Sequence, residues 1–304
     1  MAGVKNKVII NGVGIHSGKQ TRMVINPAAK PGIFFKRVDI KGAPAIPAVW
    51  DNVSDATKMN TTIGAAPNQV QTIEHLMAAL FITGIDRALI EIDGPETPIM
   101  DGSAAEFIKL IEKAGTTGPG DIKKLIVKKP VIAYRRDLIR RLPIMTRIFL
   151  AIHNMKMGRR EDGYVALSPH PKGMLVQAVL DYPDKIIGRQ NYTMEDPSDF
   201  VRDVAKARTF GRVSEWEYLK KRGLGQGANE KNVIALNADG TGTLNKLHYK
   251  DEFVRHKIVD LIGDMYMSGY EVVGKIESVK GSHGLNNEVL RILFSDPSNY
   301  EIMG

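Results

Sequence analysis

No cysteine occurs among the 304 residues. This excludes disulfides, thiolate zinc sites, iron–sulfur clusters and a thiol nucleophile, so any metal has to be held by His, Asp or Glu. Long apolar runs are missing too, since none approaches the ~18 consecutive residues of a membrane-spanning helix. The opening residues Met-Ala-Gly-Val-Lys-Asn-Lys carry no apolar signal-peptide core, which leads us to expect a cytoplasmic protein. No Gly-x-Gly-x-x-Gly or Walker pattern opens a helix, so a dinucleotide-binding or P-loop reading has no support. Most of the chain also lacks an excess of either charge. Of the net +8, the segment Tyr134–Arg160 supplies +7 through eight Lys/Arg and the single Asp137. A near-neutral body with one basic segment is not a nucleic-acid-coating protein, and no nucleic-acid partner is expected.

What remains is an ordinary globular composition, 43% apolar and 25% charged. Gly115-Thr-Thr-Gly-Pro-Gly-Asp121 reads as a linker and divides the chain into residues 1–120 and 121–304. Strands are expected at Val8–Ile10, Thr21–Ile25, Gly32–Lys36, Ala88–Ile92 and Lys123–Ile132, with helices at Val70–Thr83, Ala104–Ala114 and Glu252–Ser268. Strands and helices segregate, which indicates α+β layers. A weak repeat is visible. One helix stops at Gly84 and another at Gly269, each leading into a strand, and nine residues before these glycines stand His75 and Asp260. A duplicated unit places the two side chains at equivalent positions, able to meet if the halves face each other.

Along Asp251–Asp264 the residues Val254, Ile258, Leu261, Ile262 and Met265 share one helical face, and His256, Asp260 and Asp264 form a stripe opposite. In the earlier helix, Ile73, Leu76, Met77 and Leu80 point to the core and Glu74 and His75 lie off it. A solvated polar face is the common alternative for either pattern alone. Together, His75, His256 and Asp260 make a His/His/Asp set that zinc accepts while keeping one open position, and Glu74 stands beside a ligand to take a proton from water. Ferrous iron suits the same donors. His283 sits in the glycine-flanked stretch Gly281-Ser-His-Gly-Leu-Asn-Asn287. Gly12-Val-Gly-Ile-His-Ser-Gly18 reads as a hairpin or a phosphate loop without its Lys-Ser/Thr, and Ser103 as the cap of the following helix. A Ser103–His16 hydrolase has no nucleophile elbow behind it.

Six stretches now identify a family. They are Gly12–Gly18, Thr72-Ile-Glu-His-Leu76, Asp93-Gly-Pro-Glu-Thr-Pro-Ile-Met-Asp-Gly-Ser-Ala104, Ala207-Arg-Thr-Phe-Gly211, Asp251–Asp264 and Gly281–Asn287. In that order they resemble the bacterial zinc deacetylases that act on UDP-3-O-acyl-N-acetylglucosamine in lipid A biosynthesis. The resemblance implies two similar two-layer α+β sandwich domains packed around a shared active-site cleft. It implies that His75, His256 and Asp260 bind zinc, that Glu74 is the general base and that His283, oriented by Asp264, is the general acid. Thr209 is implied to bind the oxyanion, Lys257 to lie beside the metal on the substrate side, and Phe210 to contact the sugar. The helix from Val213 through Trp216 resembles the one that lines the family's acyl-chain passage.

The chain also departs from the family pattern. The basic segment at about 134–160 looks like an insertion in the second domain. Leu138, Leu142, Met145, Phe149 and Ile152 share a helical stripe there, giving either a core-packed helix or a peripheral contact with anionic membrane. Arg212 replaces an apolar aromatic residue, and Trp216 is bulkier than the usual aliphatic residue, so an altered acyl-length preference is expected. A Lys near Asp162-Gly163 that contacts the diphosphate in the family is absent, leaving Arg159, Arg160 or His170 as substitutes. The expected activity is hydrolysis of the acetamide of the UDP-linked acylated amino sugar. The alternatives are a paralogue that deacetylates another N-acetyl sugar and a binding protein that uses the basic segment.

Overall fold

A computed structural model describes residues 2–54, 59–118, 122–140, 144–145, 147 and 163–304. Two sheet-rich domains result. The first is built on a sheet of β1 (Val8–Val13), β2 (Gln20–Asn26), β3 (Gly32–Arg37), β4 (Ile46–Pro47) and β5 (Arg87–Ile92), in the order β1-β2-β5-β3-β4. Only β3 and β5 are parallel neighbours in this sheet. The glycine-rich stretch 12–18 is the hairpin reading realised, because β1 and β2 pair antiparallel around it. Helices α1 (Glu74–Ile82) and α2 (Ala105–Ala114) belong to this domain.

The second domain carries β6 (Lys124–Val127), β7 (Val131–Tyr134), α3 (Arg135–Arg140), β8 (Tyr164–Ser168), β9 (Met174–Asp181), β10 (Arg189–Met194) and α4 (Asp199–Asp203). Next come β11 (Phe210–Arg212), α5 (Val213–Lys221), β12 (Ile234–Leu236), α6 (Glu252–Tyr266), β13 (Glu271–Val279), α7 (His283–Phe294) and β14 (Tyr300–Met303). The main sheet runs β10-β9-β13-β6-β14, with β8 on β13 and β7 on β8. Strand β13 alternates half-buried and buried residues along its whole length, the period-two pattern of a strand with one face on a core. The single strand expected over Lys123–Ile132 is instead two, β6 and β7, because Pro130 has no amide hydrogen to give to a ladder. Ser103 does not cap α2 as the N-cap residue. Ala104 holds that position, and the Ser103 hydroxyl accepts from Ala105 N at 3.2 Å.

The repeat positions the site. Gly84 and Gly269 both adopt left-handed φ, 71° and 79°, which L side chains rarely tolerate. Each turns the chain from a helix into the sheet, α1 into β5 and α6 into β13. The two helices then pack against each other across the domain boundary, so α6 is buried on almost every side and not only on its apolar face. Gly263 is what lets them meet. A Cβ there would stand 1.9 Å from the carbonyl oxygen of Glu74. Further bonds tie the halves together: Tyr266 Oη donates to Ile85 O at 2.7 Å, and Asn287 Nδ2 donates to Trp50 O at 2.7 Å. Among the described residues no helix is long and apolar enough to cross a membrane. Of the apolar stripe in the basic segment, Leu138 packs half-buried on the core while Met145 is exposed, and Leu142, Phe149 and Ile152 lie outside the described residues.

A candidate metal centre flanked by a base and an acid

The α1–α6 seam brings His75, His256 and Asp260 together, with 4%, 2% and 3% of their surfaces exposed. The Nε2 atoms of both histidines lie 3.4 Å from Asp260 Oδ1. The two rings are 5.0 Å apart and nearly perpendicular, so the donors converge on one point without stacking. Ligand atoms held tetrahedrally by an ion at about 2.0–2.1 Å sit about 3.3–3.4 Å from one another, and the observed separation fits that spacing. The donor set fits as well. His256 Nδ1 lies 3.2 Å from Ala207 O, which fixes the ring and leaves Nε2 free to ligate. Burial, only partly opposed by Asp260, pushes His256 down to about 3, so its imidazole is neutral. Burial alone would raise the Asp260 carboxyl. The Lys257 ammonium, its Nζ 2.7 Å from Asp260 Oδ2, and the bond from His75 hold it well below the usual range.

Glu74 opens α1, buried, with one carboxylate oxygen accepting from Thr61 N at 3.0 Å. Its other oxygen lies 3.7 Å from His283 Nε2. His283 opens α7, where Ser282 caps the helix through Leu285 N. Its Nδ1 is 2.8 Å from Asp264 Oδ2, and Asp264 also accepts from Asn286 Nδ2 at 2.8 Å and from the Thr61 hydroxyl. The stripe His256, Asp260, Asp264 thus splits its work along α6. Its first two members face His75, and the third holds His283. Burial raises Glu74 above the ordinary carboxylate range, with Asp264 and Asp260 adding to the shift and His283 and His75 opposing it. Burial would depress His283, but the carboxylates of Asp264 and Glu74 reverse this and lift it to about 9. A raised carboxylate and a raised imidazole side by side make a proton acceptor and a proton donor near neutral pH.

His75, His256, Asp260, Glu74 and His283 line one cleft of about 160 Å³ whose lining is partly polar and partly apolar, the apolar part being termed its arm. Thr209, Phe210 and Lys257 stand on its wall, and Ile15, Ile99, Trp216, Leu219, Ala228 and Val233 form the arm. Phe210 is held edge-on by Phe253 at 5.1 Å and by Tyr182 at 6.0 Å. Thr209 is placed by its neighbour: Arg208 Nε donates to the fully buried Glu252 at 2.9 Å, and Thr209 N donates to Gly102 O at 2.8 Å. Val213 begins α5 but does not line the cleft. His170 lies in the turn between β8 and β9 and lines neither this cleft nor its neighbour, and Arg159 and Arg160 fall outside the described residues.

Several supporting residues had no signal of their own in the sequence. Thr61 reaches Asp264 across 203 positions. Buried Glu96 accepts from His16 N at 2.9 Å, Ser17 N at 2.7 Å and Thr72 Oγ1 at 2.8 Å, seating the 12–18 hairpin beside the metal-ligand helix. His16 lines the cleft, and burial lowers its pKa, partly offset by Glu96.

Sequence comparison agrees with the geometry. The model of the UDP-3-O-acyl N-acetylglycosamine deacetylase family matches residues 2–295. Proteins named UDP-3-O-acyl-N-acetylglucosamine deacetylase are similar over almost their whole length. The one from Geobacter sp. (strain M21) is 37% identical over 301 residues, covering 98% of this chain and 90% of the relative. That of Geotalea uraniireducens is 38% identical over 304 residues, covering 99% and 90%. That of Shewanella frigidimarina is 36% identical over 307 residues, covering 99% and 91%. This chain therefore belongs to the UDP-3-O-acyl N-acetylglycosamine deacetylase family, a family of metal-dependent hydrolases.

Proposed function

We propose that this chain releases acetate from UDP-3-O-acyl-N-acetylglucosamine, the lipid A step named by its relatives, with zinc as the metal. The observation that carries the reading is the convergence of a His/His/Asp donor set with a raised carboxylate and a raised imidazole 3.7 Å apart in one cleft. His75, His256 and Asp260 would hold the metal, which when bound supplies a Lewis acid for the carbonyl and acidifies water. Glu74 removes a proton from the attacking water as its oxygen adds to the acetyl carbon. The Thr209 hydroxyl donates to the carbonyl oxygen as negative charge develops, and the Lys257 ammonium lies on the same side. His283 then protonates the sugar nitrogen as the C–N bond breaks, so that it leaves as an amine, while Asp264 and Thr61 hold the imidazole in place. Phe210 offers the sugar a rigid aromatic face, and the arm at Trp216 takes the acyl chain. The experiment is acetate release from the UDP-linked acylated substrate with and without chelator. Chelator-sensitive release is expected. A metal-replete, folded protein that releases none rejects the reading in favour of another N-acetyl sugar.

The diphosphate has its own candidate place. A second cleft of about 60 Å³ shares Tyr182 with the first and is lined by Arg135, Lys280 and Gly281, the last of these two residues before His283. The guanidinium of Arg135 donates to Lys280 O and lies over Gly163, 3.1 Å from where a Cβ would be. A cation from the start of α3 therefore occupies the neighbourhood where the family pattern has its Lys. Lys280 Nζ stands 3.2 Å from Asp181 Oδ2 in the same cleft. In this reading Arg135 and Lys280 receive the phosphates. Loss of one charge-assisted contact is worth about 1.5–3 kcal/mol, so Arg135→Ala should raise KM at least about tenfold, with kcat changing less. Steady-state kinetics checks this, and an unchanged KM removes Arg135 from the site.

A further inference from the structure

Arg212 takes no part in the chemistry of the cleft, yet its guanidinium is committed to ion pairs beside it. It ends β11 and stands immediately before α5. Its guanidinium grips Asp184 with two nitrogens, Nε to Oδ1 at 2.7 Å and Nη2 to Oδ2 at 2.5 Å, and Nη1 donates to Glu215 Oε1 at 2.9 Å. The Arg212 and Asp184 side chains are only 15% and 6% exposed. Asp184 is held from its other side. Its carbonyl accepts from Ile187 N at 3.0 Å and Gly188 N at 2.7 Å, and the turn at Gly240 closes on it through Ile186 N to Gly240 O at 3.0 Å.

The ion cluster ties together two walls of the catalytic cleft. Tyr182 lies two residues before Asp184, and Trp216 and Leu219 follow Arg212 by one and two helical turns. We propose that Arg212, Asp184 and Glu215 form a brace that fixes the distance between the Tyr182 wall and the Trp216/Leu219 wall, and that this brace limits the apolar arm to short acyl chains. The inference rests on the acylated-sugar reading above. An apolar aromatic at position 212 would hold α5 by packing, which yields in any direction. A bidentate guanidinium–carboxylate pair fixes both the distance and the orientation. With α5 so held, the indole of Trp216 stays in the arm and takes space a longer chain would need.

The test is a ladder of UDP-linked N-acetylglucosamines with 3-O-acyl chains of increasing length, assayed with wild type, Arg212→Gln/Asp184→Asn and Arg212→Lys. The double variant neutralises both partners together, which avoids leaving a lone buried charge. One methylene in an apolar pocket is worth about 10–200-fold in discrimination, so kcat/KM for long relative to short chains should rise at least about tenfold in the double variant, chiefly through KM. Arg212→Lys, which keeps the charge and loses the fork, should fall between the two and serves if the double variant does not fold. An unmoved length profile in a folded variant overturns the brace alone. So does an equal loss at every chain length, which is what a merely structural pair would give. A wild type inactive on the entire ladder overturns the substrate reading, and the brace with it.

Discussion

Glu74→Gln should lower kcat by about 10²–10⁴, the usual worth of a positioned general base, while the protein still binds its metal. The substitution is nearly isosteric. An amide oxygen can go on accepting from Thr61 N, which now bonds Glu74 Oε2 at 3.0 Å, so the start of α1 keeps its shape. His75, His256 and Asp260 are untouched, and metal stoichiometry is the control that separates loss of the base from loss of the ion. The amide cannot take up a proton. The carboxylate is suited to do so because burial holds its pKa above that of an exposed glutamate, nearer the working pH. A kcat within about tenfold of wild type, with metal retained, would assign the proton to another group.

The two sides of the seam were unequally legible in the sequence. The helix–Gly–strand repeat is readable because a glycine stop after an apolar periodic segment is a local signal, and the matching nine-residue offset aligns His75 with Asp260. Periodicity could not distinguish a solvated polar stripe from one buried against a second helix. His256, Asp260 and Asp264 show the same spacing either way, and only the packing of α1 on α6 at Gly263 separates the two. Long-range partners were not visible at all. Nothing near Thr61 announces Asp264, and nothing in Arg212 names Asp184, because an ion pair between distant positions leaves no pattern in either neighbourhood. Arg135 was hidden in the same way. It counted as one of eight cations in a basic run, whereas the structure separates it from the run by turning its guanidinium onto Gly163 and Lys280.

His283→Gln should cost about 10²–10⁴ in kcat and remove the alkaline limb of the pH profile. The sign follows from the role. An acid must carry its proton, so kcat/KM is full below the pKa of His283 and falls about tenfold per pH unit above it. In the protein alone that pKa is raised to about 9, the carboxylates of Asp264 and Glu74 outweighing burial. A bound dication beside Glu74 offsets part of this field and moves the limb to lower pH. The acidic limb has the opposite sign, because Glu74 must lose its proton before it can accept another. Asp264→Asn isolates the contribution of one carboxylate. It keeps a side chain that can bond Thr61 and His283 but removes the charge 2.8 Å from Nδ1, so the alkaline limb should shift toward lower pH while the acidic limb moves little. Both limbs are read from kcat/KM against pH in the metal-replete enzyme. An alkaline limb that stays in place in Asp264→Asn, or that survives in His283→Gln, would assign the titration to a group other than His283. Lys257 would then be the group to test, because it shares the cleft and its ammonium is held charged against burial by Asp260.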